Sequence, residues 1–87
     1  SKSQNTFAVY PNPSSDKATV KVSLTNEALT CISIYNTLGE KKMVITNSVL
    51  SKGMSSVSFD VANLTTGIYF IKLTSASYSE VQKFQVR

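Results

Sequence analysis

From one end of the chain to the other, apolar and polar residues take turns. A repeat of two suits extended strands that bury one face and wet the other, and it does not suit helices. Ala18, Val20, Val22 and Leu24 fall on one side of a run whose other side is Lys17, Thr19, Lys21 and Ser23. Ile32 and Ile34 alternate with Cys31, Ser33 and Tyr35, and Val57, Phe59 and Val61 alternate with Ser56, Ser58 and Asp60. Tyr69, Ile71 and Leu73 share a side after Gly67, and Phe84 and Val86 share one at the end of the chain. No stretch spaces apolar residues by three and four for long enough to form a helix, although "DVANL" has room for a single turn.

The punctuation between these runs is that of antiparallel strands. "NTLG", from Asn36 to Gly39, reads as a tight hairpin turn, since asparagine bonds its own backbone and glycine accepts a positive φ. Pro11 and Pro13 remove two backbone donors, and Pro13 also drives Asn12 toward an extended shape, so the opening strand "FAVY" has to stop at Tyr10 and turn a stiff corner. Counting the runs gives about seven short strands in 87 residues, enough for one domain and one core. The expected fold is all-β, an immunoglobulin-like antiparallel β-sandwich with almost no helix.

The inventory for catalysis is thin. The chain has no histidine, which removes the commonest general base and the commonest zinc ligand together. Its one cysteine, Cys31, has no partner for an intrachain disulfide and no basic residue within three positions to activate it. Asp16, Glu27, Glu40, Asp60 and Glu80 are scattered without a catalytic or calcium-binding spacing, and the three glycines make no phosphate loop. No catalytic, metal or cofactor residues are assigned, and an enzyme is the weakest reading. The net charge of +4 comes from dispersed lysines rather than a basic block, which disfavours nucleic acid. No apolar run reaches the roughly twenty residues that a membrane-crossing helix needs, so direct insertion is not expected. What the residues favour is a surface that binds something.

Taken in order, "VYPNPSSDKATVKV", "ISIYNTLGEKKM", "FDVANLTTGIYFIKL" and "KFQVR" closely resemble the type A C-terminal sorting domain of proteins exported by the Bacteroidetes type IX secretion system. The resemblance spans nearly the whole chain. Residue by residue, Pro11, Asn12 and Pro13 match the family's proline corner, Gly39 its hairpin glycine, and Leu64, Gly67 and Tyr69 its Leu-x-x-Gly-x-Tyr element. These positions read as scaffold first. Leu64 and Tyr69 also resemble the tyrosine corner of sandwich folds, in which a buried ring uses its hydroxyl to tie down a connection. The last strand, which the family needs for export, corresponds to Lys83, Phe84, Gln85, Val86 and Arg87, the candidate recognition residues. Many members carry a lysine pair there, whereas Gln82 precedes a lone Lys83 here.

The resemblance implies a non-catalytic label at the end of a larger cargo, passing through the periplasm and ending at the cell surface or outside the cell. The implied partners are the type IX translocon with an outer-membrane shuttle protein, and a surface sortase-like transpeptidase for which the domain is substrate. Residues 1–6 would be a linker to the cargo and residues 7–87 the domain. An exposed strand edge leaves dimerisation open. The alternative reading is an accessory carbohydrate-binding or adhesion module retained on a surface enzyme. The lack of tryptophan weighs against that, as does an interior expected to take most of the four tyrosines and four phenylalanines.

Overall fold

A computed structural model describes residues 5–11, 16–76 and 78–87. Seven strands follow one another: β1 (Thr6–Tyr10), β2 (Lys17–Leu24), β3 (Ala28–Asn36), β4 (Lys41–Leu50), β5 (Gly53–Asp60), β6 (Gly67–Thr74) and β7 (Ser79–Val86). The described residues contain no helix, and "DVANL" makes a turn. Every pairing is antiparallel, in a three-stranded sheet ordered β1-β2-β5 and a four-stranded sheet ordered β4-β3-β6-β7. The seven-stranded sandwich expected from the alternation is therefore present.

Two layers form because each sheet has one apolar face that must leave water. The three-stranded sheet brings Phe7, Ala18, Val20, Val22, Leu24 and Phe59, and the four-stranded sheet brings Ile32, Ile34, Tyr69, Ile71, Leu73, Phe84 and Val86. Phe59 of β5 meets Phe84 of β7 at 5.8 Å between ring centroids, tilted by 58°, so this aromatic pair spans the two sheets. Along one side the layers are joined by the short β4–β5 connection, and along the other β1 lies against β7.

The structure departs from the sequence reading where the period of two breaks. β4 runs on to Leu50 and β5 starts at Gly53, because their register with β3 and β2 continues (Ala28 opposite Leu50, Leu24 opposite Gly53) through residues of mixed polarity. Register shifts between Ile32 and Ser33 and between Ile34 and Tyr35 blur the alternation of "KKMVIT" by changing which face the β4 residues meet. Ser33, expected on the wet face, is buried, since the neighbours opposite it on that face are Val44 and Lys72. The aromatics are corrected too. Phe7, Phe59, Phe84 and Tyr69 are in the core, but Phe70 and Tyr10 are exposed and Tyr35 and Tyr78 only half-buried, so half of the eight rings rather than most of them go inside.

Phe84→Ala removes the ring that spans the two layers and is expected to cost about 3–5 kcal/mol. Ser79→Ala, on the exposed surface of the same strand, should change stability by less than about 0.5 kcal/mol. Urea unfolding of the two variants measures the difference.

Candidate functional site

The strand directions carry the motif residues to one end of the sandwich. β1 runs toward this end and Pro11 leaves it in a bend, the β3–β4 hairpin turns there, the β5–β6 connection crosses there, and β7 finishes there with Val86 opposite Gly67. Gly39, Leu64, Gly67, Tyr69 and Arg87 thus gather at a single pole. Asn12 and Pro13 lie outside the described residues. The start of β1, Thr6 opposite Ser23, is at the other pole, where the Asn5 side chain accepts a hydrogen bond from the Thr25 amide at 2.8 Å.

Two loops at the motif pole are held by their own side chains. Asn36 Oδ1 accepts from the Leu38 and Glu40 amides, both at 2.9 Å, and Asn36 Nδ2 donates to Glu40 Oε1 at 2.7 Å. The Asn36 amide also reaches the Glu40 carbonyl at 2.9 Å, which closes the hairpin. Gly39 sits at φ +86°, a conformation that a Cβ disfavours, so the turn needs glycine for its backbone rather than for space. At the neighbouring connection, the buried Tyr69 hydroxyl donates to the Thr65 carbonyl at 2.7 Å, and Thr65 Oγ1 lies 2.9 Å from the Tyr69 hydroxyl oxygen. Leu64 packs against the core and its amide bonds the Val61 carbonyl at 3.0 Å. This is the geometry of a tyrosine corner, and Gly67 at φ +153° starts the strand that carries it.

The terminal strand has two roles on its two faces. Phe84 and Val86 are buried in the core, while Lys83, Gln85 and Arg87 point outward at the motif pole. Gln82, the departure from a lysine pair, is half-buried on the inner side. Its Nε2 donates to the Phe7 carbonyl of β1 and, at 3.1 Å, to Glu80 Oε2, while the Tyr78 hydroxyl donates to Glu80 Oε1. A polar chain thus closes the seam between the two sheets. Burial above all, then the bond to Glu80 and its negative charge, push the Tyr78 hydroxyl up from 10.0 to about 12.

A further group escaped the sequence reading. Tyr35, Phe70, Lys72 and Val81 share the outward face of the four-stranded sheet, where Tyr35 is opposite Phe70 and Lys72 is opposite Val81. The signal was available: in "GIYFIKLT" Ile68 and Phe70 are apolar on the strand face that alternation leaves to water.

The arrangement holds little for chemistry. Glu40 is bonded to Asn36, Asp60 accepts from the Ala62 amide at 2.7 Å, and Glu80 is bonded to Tyr78 and Gln82. Among the described residues no three metal-binding side chains come together.

A profile of the secretion system C-terminal sorting domain matches residues 8–87. The chain belongs to the type IX secretion C-terminal sorting domain family. No match to it is found among curated proteins. Membership of the sorting domain family makes the chain an export signal of the type IX system, destined for the cell surface or the extracellular space, in a family that is not catalytic. In this sorting domain the Asn36 hairpin and the Tyr69 corner are both local devices that fix loops.

Tyr69→Phe in this sorting domain leaves the Thr65 carbonyl without its buried partner and should cost about 1–2 kcal/mol in thermal or urea unfolding. For Tyr78 the folded-state value lies above the unfolded one. Its contribution to stability is therefore complete below pH 10.0 and is lost as pH rises toward about 12. Tyr78→Phe should flatten the pH dependence of unfolding across that window.

Proposed function

We propose that the chain is an export label recognised through its motif pole, with the outward row of β7, Lys83, Gln85 and Arg87, as the part that the type IX translocon or its outer-membrane shuttle reads. The observation that carries this reading is the division of labour on β7: its inner residues hold the core, and its outer ones are exposed at the motif pole. A row of basic and polar groups on a terminal strand suits recognition by charge or by strand pairing. The segment ahead of β1 serves as the linker to a cargo. It leads into β1 at the opposite pole, about 17 Å away along the five residues of that strand, so the cargo does not crowd the end that is read. The domain passes through the periplasm, does no chemistry, and is removed at the surface by a transpeptidase that cuts within or upstream of the linker.

A second reading, a glycan-binding module kept on a surface protein, gains support from one observation, the half-buried Tyr35 beside the exposed Phe70. Mass spectrometry of the mature cargo separates the two. A label is expected to be missing from the surface form, and a retained module with saturable glycan affinity would decide for the alternative.

Truncating residues 83–87 is a poor test of recognition, because it deletes two core residues, Phe84 and Val86. Charge reversal keeps the core. In a type IX-competent cell, a reporter fused ahead of the chain should reach the surface. Lys83→Glu with Arg87→Glu should cut surface delivery by at least about tenfold. Undiminished delivery of that double variant would show that the row is not what the machinery reads.

A further inference from the structure

The outward face of the four-stranded sheet is concave beside the motif pole. Tyr35, Phe70, Lys72 and Val81, with Asn36, Thr37 and Gly39 of the hairpin, line an open groove of about 340 Å³. Its apolar walls are in water, with Phe70 36% and Val81 55% exposed. The rim is basic: Lys41 Nζ stands 5.9 Å from the Tyr35 ring centroid, Lys72 is part of the lining, and Lys83 is opposite Phe70. Glu80 is the sole carboxylate on the four strands and faces the other way, bonded to Tyr78 and Gln82, while Glu40 of the hairpin, beside Lys41, is bonded to Asn36 Nδ2.

We propose that this groove is the docking site for a protein partner that inserts an apolar side chain between Tyr35, Phe70 and Val81 and ranges carboxylates around it against Lys41 and Lys72. The inference rests on the sorting-signal reading and names the chemistry of its partner. Three occupants compete for such a face, and charge and shape choose among them. A second copy laid face to face would bring like charges together, with lysines meeting lysines and only Glu40 of each hairpin, already bonded to Asn36, to offset them. A lipid surface calls for side chains that project into it, whereas here the apolar atoms form the floor and walls of a hollow. An apolar knob ringed by acids satisfies both the hollow and its rim, in the pattern of a buried anchor inside a polar border.

The test uses a full cargo ending in this chain, expressed in a type IX-competent cell, with a photo-crosslinking phenylalanine derivative in place of Phe70 and, as a control, in place of Leu29 on the same face near the opposite pole. Position 70 should give an adduct with a different protein, on a peptide rich in Asp or Glu. Lys72→Glu should lower its yield by at least about tenfold, and Lys72→Arg, which keeps the charge, should restore it. Higher salt should weaken it as well. An adduct with a second copy, with the lipid of protein-free anionic vesicles, or equally at both positions would overturn the proposal, as would no adduct at all or a yield indifferent to the Lys72 charge. Surface delivery separates this from the parent reading. If the unaltered chain delivers its cargo and Lys72→Glu with Val81→Ser delivers it equally well, only the groove falls. If the unaltered chain delivers nothing, the sorting reading falls with it.

Discussion

Everything in this small domain depends on two apolar sheet faces being pressed together. With one cysteine in the sequence and no metal-binding cluster among the described residues, there is no covalent or metallic staple to share the task. Val20 and Val22 from one layer and Ile32, Ile34, Ile71 and Leu73 from the other are wholly withdrawn from water, and the Phe59–Phe84 contact ties the layers where β5 and β7 face each other. That packing fixes the strand order, and the strand order in turn brings three connections and the chain's last residue to one pole.

Much of this was legible in the sequence because it depends on local rules. Alternation identified the inward residues of β2, β6 and β7 because those strands keep a strict period of two, and the positions it assigned to the interior are the ones that are buried. Asn36 and Gly39 revealed the hairpin because both residues act on their own backbone. The boundary between β4 and β5 was not legible, since polar residues occupy both faces there and only pairing with β2 and β3 specifies the register. Nor was the burial of Ser33 or the seam through Gln82, because each depends on a residue far away in the chain: Lys72 for the first, Phe7 for the second. The share of rings taken inside was overestimated for a related reason. Aromatic character alone does not say which side of a sheet a residue occupies, and Phe70 follows Tyr69 directly, so one of the two had to face outward.

Placing the motif residues separates those that build the pole from those that lie exposed on its surface. Asn36, Gly39, Leu64, Gly67 and Tyr69 spend their polar groups or backbone freedom on shaping loops. Arg87, Gln85 and Lys83 are not needed for the core, and neither is the basic-rimmed hollow next to them. Those five thus act as scaffolding in this chain, while the neighbouring outward positions of β7 are exposed and carry the positive charge of Lys83 and Arg87.

The Gln82 bond to the Phe7 carbonyl spans 75 positions of sequence. The earliest strand acquires its outer neighbour only when the latest one has arrived, and contacts this remote are slow to form because a long loop must close before any reward is felt. A chain lacking either its first or its last strand therefore has no way to make this seam, whatever local hairpins it forms.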